Sequence, residues 1–155
     1  MKNLSLFLLF VAFLTGCKSK TETVNHQPST VDSLMGTWVL ISGTTIQGKD
    51  TTITDYTKNK KFLKIINGNH WAFVGHDLNK GKDSLAYYSS GAGTYTLTDT
   101  SYTEHLQFCN DRAWEGNDFT FTILIRNDSL TQTGIEKIEK LNVNRQNIEQ
   151  YVRYK

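Results

Sequence analysis

The sequence predicts an all-β domain folded as an eight-stranded antiparallel up-and-down barrel. Apolar and polar residues alternate with a period of two in several runs, and no long stretch in the middle of the chain has helical periodicity. Turn sequences such as Asn67-Gly68 and Asp99-Thr100 separate these runs. A sandwich is the alternative, but sequential hairpins without a long crossing connection favour the barrel. A barrel of this size is wide enough to hold one small ligand.

Eight strands are expected, and in chain order they cover residues 37–46, 60–66, 70–74, 93–98, 101–109, 118–126, 129–134 and 147–154. Ile135, Ile138 and Leu141 have helical spacing. Residues 136–141 are therefore expected to form a short helix or an extension of the preceding strand. No proline follows Pro28, so none interrupts a strand ladder.

Residues 1–16 have the pattern of a secretory signal peptide. Lys2 provides a positive start, and residues 4–14 are almost wholly apolar. An apolar run of about 11 residues is shorter than the ~20 that a membrane-spanning helix needs. The following Leu14-Thr15-Gly16-Cys17 resembles a bacterial lipobox, which implies cleavage before Cys17 and acylation of this cysteine, for example with palmitate. An ordinary signal peptide with an incidental cysteine is the alternative.

Residues 17–30 are expected to be the lipidated cysteine and a flexible tether, because residues 18–30 contain no aromatic side chain and little apolar surface to bury. The barrel domain then spans residues 31–155. Lys18, rather than an aspartate, follows the cysteine, which favours the outer membrane or cell surface for an exported, lipid-anchored protein. The chain has 17 Lys and Arg residues against 15 Asp and Glu, a formal net charge of +2, which argues against a nucleic-acid partner.

Motifs along the predicted barrel resemble those of a known family. Gly36-Thr37-Trp38 opens the first strand and is similar to the Gly-x-Trp motif of lipocalins. That resemblance implies structural roles for Gly36 and Trp38, and for Arg153, which matches an arginine that stacks over the tryptophan in a cation–π contact. The chain is more closely similar to bacterial lipocalin-like lipoproteins of unknown function, through its segments 61–65, 70–72, 93–97 and 102–104.

Alternation also places a set of aromatic side chains on the faces expected to line the interior of the barrel. On one strand, the side chains predicted to point inward are those of Tyr102, Glu104, Leu106 and Phe108. Aromatic residues with the same parity occur on other strands. The candidate ligand-binding residues are therefore Glu104, Tyr102, Tyr95, Trp71, Phe73 and Phe121.

Glu104 is the unusual member of this set, because a carboxylate on an apolar face needs a partner or a shifted pKa. In one interpretation it pairs with a tyrosine, arginine or lysine inside the barrel, or lies at the solvent-exposed opening of the barrel. In the other it orients a ligand within an apolar site. The aromatic residues have a similar alternative, since each is a candidate for simple core packing.

The sequence offers few residues for catalysis, metal binding or a cofactor. His70 and His76 share a strand face but lie ~20 Å apart, too far to bind one ion. No Gly-x-Ser-x-Gly elbow is present, and Cys109 is expected to be a small packed side chain. A solvated strand edge is the expected position of Lys58, Lys60, Lys61 and Lys64.

These observations together predict a monomeric, membrane-anchored, lipocalin-like lipoprotein that binds a small, partly hydrophobic ligand in its barrel. The alternative is a structural or interaction lipoprotein of the cell envelope whose barrel is filled by its own side chains. A third class, an enzyme that uses Glu104 as acid or base, has the least support, so no enzymatic activity, metal or cofactor is expected.

Overall fold

The computed structural model describes residues 29–82, 84 and 86–155. The predicted signal peptide, Cys17 and most of the predicted tether lie outside these described residues. Within them the chain forms one short helix, nine strands and two 3₁₀ turns. The elements are α1 Thr30–Leu34, β1 Gly36–Gln47, β2 Asp50–Asp55, β3 Lys60–Asn67, β4 His70–Asp77, β5 Tyr88–Thr98, β6 Ser101–Cys109, a 3₁₀ turn at Arg112–Trp114, β7 Asp118–Arg126, β8 Ser129–Ile138, a 3₁₀ turn at Glu139–Leu141 and β9 Val143–Arg153.

The strands pair antiparallel in the order β2-β1-β3-β4-β5-β6-β7-β8-β9, and β1 also pairs with β9. This last pairing closes a barrel from β1 and β3 to β9, so the fold class predicted from the sequence is confirmed. The first part of β1, residues 36–39, pairs with β3, and its second part, residues 42–47, pairs with β2. The strand β2 is therefore a ninth strand attached to one end of the barrel.

The sequence-based strand list missed β2, and four other strands, β4, β5, β8 and β9, extend at one end by three or more residues beyond their expected bounds. Residues 136–138 continue β8, and only residues 139–141 form a 3₁₀ turn, so both expectations for this segment hold in part. The helix α1 begins at Thr30, one residue before the expected start of the domain, because the Ser29 side chain and Asp32 form a capping box. The strand β5 begins at Tyr88, earlier than expected.

One end of the barrel, here called the closed end, is filled by apolar side chains. It contains the start of β1 and the tight turns at residues 67–70, 98–101 and 126–129. The helix α1 lies against it, with Leu34 fully buried in the core. The core of the closed end includes Trp38, Leu40, Ile66, Tyr95, Tyr102, Ile123, Leu130 and Tyr151. The connections at residues 47–50, 56–59, 110–117 and 139–142 lie at the opposite, open end.

Arg153 fastens α1 to the closed end. Its guanidinium carbon lies 4.2 Å from the centre of the Trp38 ring. Its two terminal nitrogens donate to the carbonyls of Met35, at 2.9 Å, and Ser33, at 2.6 Å. Gly36 permits this approach, because its φ is +129° and a Cβ there would lie 2.7 Å from Arg153 Nη1. The residues that the lipocalin resemblance singles out thus meet at this end of the barrel.

Two β-bulges interrupt the alternation on which the sequence analysis relied. In β6, Gln107 is the extra residue, since Leu106 pairs with Gly93 and Phe108 pairs with Ala92. The prediction that Phe108 faces the interior is therefore wrong: its side chain is 66% exposed, and Cys109 takes the inward position. A second bulge in β1 leaves Ile41 without a partner on β9.

No helix among the described residues is long and apolar enough to cross a membrane.

Replacing Arg153 by glutamine should destabilise the barrel, because two carbonyls lose a charged donor and the Trp38 ring loses its cation. We expect a loss of about 2 kcal/mol in the free energy of unfolding, measured by chemical denaturation. Arg126→Gln is the matched control, since Arg126 is exposed on β7. Equal stabilities of the two variants would contradict the role given to Arg153.

Candidate functional site

A cavity of about 530 Å³, here called the lumen, extends into the barrel from the open end. Its size lies within the range of cavities that hold small ligands. The side chains that line it come from strands around the whole barrel and from the 3₁₀ turn at Arg112–Trp114. They include Tyr56, Phe62, Lys64, Trp71, Phe73, Glu104, Leu106, Trp114, Phe119, Phe121, Gln132, Glu136, Arg145, Asn147, Glu149 and Tyr151.

Stacked aromatic rings form one wall of the lumen. The ring centres of Phe62 and Phe73 lie 5.1 Å apart with the ring planes 16° from parallel, and Trp71 continues the stack 5.9 Å from Phe73. Tyr56 meets Phe62 edge-on, with the ring centres 5.9 Å apart. Such contacts stabilise each ring beyond the burial of its area. The stack gives a ligand a flat apolar surface that is held in place by its own packing.

Glycines on the neighbouring strands keep this wall thin. Phe62 pairs directly with Gly75, and Phe73 pairs directly with Gly91. A Cβ at either glycine would lie 2.5 Å from the opposing phenylalanine ring. Any larger residue at these two positions would therefore push a ring from the barrel wall towards the lumen.

The strands β8 and β9 form a polar wall. Their inward-facing positions carry Gln132 and Glu136 on β8, and Arg145, Asn147 and Glu149 on β9. Direct pairing places Gln132 opposite Glu149 and Glu136 opposite Arg145. A lumen with an aromatic wall and a polar wall suits a ligand that is itself part apolar and part polar.

A buried ion pair lies at the base of the lumen. The Lys64 side chain is 3% exposed, and its ammonium contacts the carboxylate of Glu104, which is on the other side of the barrel in β6. The ammonium also donates to Gln132 Oε1 at 2.8 Å. Burial raises the pKa of the Glu104 carboxyl, and the charge of Lys64 opposes that rise. The expectation that Lys64 lies on a solvated strand edge is therefore wrong, because its position in β3 has the inward parity of Phe62.

Aromatic rings surround the ammonium of Lys64. It lies 5.3 Å from the ring centre of Trp71, 5.4 Å from that of Tyr102 and 5.6 Å from that of Tyr151. Cation–π attraction in this desolvated position adds to the ion pair with Glu104. The barrel interior thus holds one organic cation of its own between a carboxylate and three rings.

A second ion pair lies nearer the open end. Arg145 Nε donates to Glu136 Oε2 at 2.6 Å, and Asn147 Nδ2 donates to Glu136 Oε1 at 2.9 Å. The guanidinium of Arg145 also lies 5.3 Å from the ring centre of Trp114. Burial raises the pKa of the Glu136 carboxyl, against the effect of Arg145. Both carboxylate oxygens of Glu136 are thus occupied by the protein itself.

The structure divides the sequence-predicted ligand residues into two groups. The lumen is lined by Trp71, Phe73, Glu104 and Phe121. The other two, Tyr95 and Tyr102, pack in the closed end, with ring centres 5.1 Å apart, and do not line the lumen. The Tyr95 hydroxyl donates to the carbonyl of Gly68 at 2.7 Å, as expected of a structural tyrosine.

The polar half of the site was missed by sequence reasoning. Its residues are Lys64, Gln132, Glu136, Arg145, Asn147 and Glu149. Strand parity was the available signal for two of them: Lys64 alternates with Phe62 and Ile66, and Gln132 alternates with Leu130. Inward-facing positions were expected to be apolar, and this assumption hid the polar residues.

The described residues contain no group of three or more histidine, cysteine or acidic side chains that could hold a metal ion. Cys109 lines the lumen, and burial raises the pKa of its thiol, which disfavours the reactive thiolate.

No protein-family model matches the chain, and neither does any curated protein. Among solved structures, the chain is similar to the crystal structure of a mutant of the fluorescent protein UnaG. The TM-score is 0.40 and the sequence identity is 12%, over 81% of this chain and 99% of that chain. The barrel architecture described above rests on the strand pairing of the chain itself.

Replacing Lys64 by methionine should leave Glu104 buried without its cation. We expect a loss of about 3–5 kcal/mol in the free energy of unfolding at neutral pH. A carboxyl with a raised pKa in the folded state favours folding when protonated, so this loss should shrink as the pH falls towards the unfolded value of 4.5. Denaturation curves of wild type and variant across this pH range measure the effect.

Two further variants test the interpretation of that loss. Adding Glu104→Gln to Lys64→Met should recover most of the stability, because no unpaired charge then remains buried at the base of the lumen. Lys140→Met, at an exposed lysine, should change little. A pH-independent loss in Lys64→Met that Glu104→Gln fails to recover would show that the ion pair is not the cause.

Proposed function

We propose that this protein is a lipid-anchored binding protein of the cell envelope that holds one small, amphiphilic molecule in its barrel. The lumen is the binding site, the aromatic wall contacts the apolar part of the ligand, and the polar wall on β8 and β9 contacts its polar part. The protein acts by binding and carrying this molecule rather than by changing it chemically.

The observation that carries the proposal is a lumen of about 530 Å³ with two chemically different walls. A barrel filled by its own side chains would leave no such space, which argues against the purely structural alternative. The Phe62–Phe73 stack and the glycines opposite these rings keep the wall flat. The space is therefore supported by specific packing rather than left by poor packing.

The anchoring part of the proposal rests on the sequence. Cys17 follows a short apolar segment and a lipobox-like Leu14-Thr15-Gly16. Two or three acyl chains on this cysteine would hold the protein durably at a membrane, since each buried methylene adds ~0.8 kcal/mol. The segment after it then links the anchor to the barrel.

Ligand binding can be measured with the neutral dye Nile red, added to the barrel domain and followed by its fluorescence increase. We expect saturable binding of one dye per chain. Phe73→Leu should weaken binding about fivefold to tenfold, because it removes the central ring of the aromatic wall. Phe108→Leu is the matched control, because Phe108 lies on the outer face of the barrel and is 66% exposed.

Two results would contradict the proposed function. The first is an absence of saturable dye binding together with no small molecule retained in native mass spectrometry of the purified protein. The second is an equal loss of binding in the Phe73 and Phe108 variants, which would place the dye on the outer surface.

Lipid anchoring is tested separately by Cys17→Ser. We expect this variant to leave the membrane fraction or to remain unprocessed, and to lose palmitate labelling, because no thiol is then available at the lipobox. Cys109→Ser is the matched control and should stay in the membrane fraction with its label. A Cys17→Ser protein that is still labelled and membrane-bound would exclude this anchor.

A further inference from the structure

The acidic side chains that line the lumen outnumber the basic ones. Three glutamates line it, Glu104, Glu136 and Glu149, together with two cations, Lys64 and Arg145. Lys64 pairs with Glu104, and Arg145 pairs with Glu136. In the part of the chain that the structure describes, no cation lies within ion-pair distance of Glu149. Apart from Asp111, which is exposed at the rim, the lumen therefore carries one carboxylate more than it has cations.

The rim of the lumen does not remove this imbalance. The ammonium of Lys60 lies over the rings of Tyr56 and Tyr87, 5.3 Å and 5.1 Å from their centres. Asp111, exposed on the same side of the barrel, brings an opposite charge. The excess negative charge is thus inside, at Glu149.

Glu149 is placed to receive a ligand. It lies on β9 between Gln132 of β8 and Gly43 of β1, its direct partners on the two sides. One carboxylate oxygen, Oε2, accepts from the Tyr151 hydroxyl at 2.8 Å. Gly43 has no side chain, and the space that a side chain would take there is occupied by the ring of Tyr56. The second oxygen, Oε1, has no hydrogen-bond donor among the described residues.

An aromatic surface lies next to this carboxylate. The Tyr56 ring packs against Gly43, 3.1 Å from the position that a Cβ would take. Because Gly43 pairs directly with Glu149, the Tyr56 ring lies beside the position of this glutamate on β9. Burial raises the pKa of Tyr56 to about 12, and the negative charge of Glu149 adds to that rise. Phe62 adjoins Tyr56 edge-on. A cation bound at Glu149 would therefore face aromatic rings, as Lys64 does deeper in the barrel.

An anionic ligand has no comparable position. The ammonium of Lys64 is already bound to Glu104 and Gln132. The guanidinium of Arg145 is held by Glu136 and lies against Trp114. A negative group entering the lumen would meet the uncompensated charge of Glu149 and would need to break one of these two pairs.

We propose that the ligand of the lumen is an amphiphilic organic cation, an amine or other ammonium with an aromatic or aliphatic body, whose charged nitrogen binds at Glu149. This inference rests on the proposed function and adds the chemical class of the ligand. The ammonium completes the charge balance of the lumen, and the apolar body lies along the Phe62–Phe73 stack.

The test uses three probes of the same shape and different charge: naphthylmethylamine, naphthylmethanol and naphthoate. Each is titrated into the wild-type barrel domain at neutral pH in a calorimeter. We expect the cationic amine to bind about tenfold more tightly than the neutral alcohol, and the anionic naphthoate to bind most weakly. The preference of the wild type is a readout that needs no variant.

Glu149→Gln then assigns the preference to one residue. The variant keeps an acceptor for the Tyr151 hydroxyl but removes the charge, so the amine should lose about tenfold in affinity while the alcohol is unchanged. Glu139→Gln is the matched control, because Glu139 is exposed at the 3₁₀ turn after β8. Thermal denaturation of both variants confirms that they are folded.

The outcomes separate this inference from the proposed function. If the alcohol or naphthoate binds as tightly as the amine and Phe73→Leu weakens that binding, the lumen binds ligands but the cationic class is wrong. If the amine preference persists in Glu149→Gln, the position assigned to the ammonium is wrong. If none of the three probes and no Nile red binds, both proposals fail.

Discussion

The ion pair between Lys64 and Glu104 determines how the interior of this barrel is organised. It joins β3 to β6 across the barrel, and its contact with Gln132 extends the connection to β8. Below it, aromatic and aliphatic side chains fill the closed end; above it, the lumen opens. Two buried charges cannot be separated or exposed without a large cost, so the pair holds three strands at a fixed spacing. The floor of the cavity is thus an ion pair, one wall consists of packed aromatic rings, and the other consists of the polar side chains of β8 and β9.

This arrangement explains why a lumen with many ionisable groups can still be a defined site. Each cation is held between a carboxylate and aromatic rings: Lys64 by Glu104, and Arg145 by Glu136 and Trp114. Burial favours the protonated form of both glutamates, and the paired cations oppose it. Glu149 stands between the two pairs without a cation of its own. The fold thereby keeps one charge available to a ligand while it satisfies the others internally.

Much of the fold could be predicted from the sequence, because strand alternation and short turns are local signals. The barrel and most of its strands were predicted in this way, whereas the contact of Arg153 with Trp38 was expected from the resemblance to lipocalins. The strand β2 was missed because it is short and polar. The position of Phe108 was wrong because a single bulged residue, Gln107, reverses the parity of everything after it. Whether a strand contains a bulge depends on its partner, and the partner is not visible in the sequence of one strand.

Only the aromatic half of the site could be predicted from the sequence, for a related reason. Aromatic residues at alternating positions indicate an inward face, and Trp71, Phe73 and Phe121 do line the lumen. The polar side chains of β8 and β9 also face the lumen, so the assumption that inward-facing side chains are apolar was wrong. The partner of Glu104 could be described only as some cation or tyrosine, because the residues that join it, Lys64 and Gln132, are distant in sequence and meet through barrel closure.

The most direct test of this account is a crystal structure of the barrel domain grown with naphthylmethylamine. The naphthyl ring should lie against the Phe62–Phe73 stack, and the ammonium should lie within hydrogen-bond distance, about 2.7–3.2 Å, of the Glu149 carboxylate. A lumen that remains empty while the amine occupies the outer surface, or one filled by rearranged side chains of the protein, would contradict it.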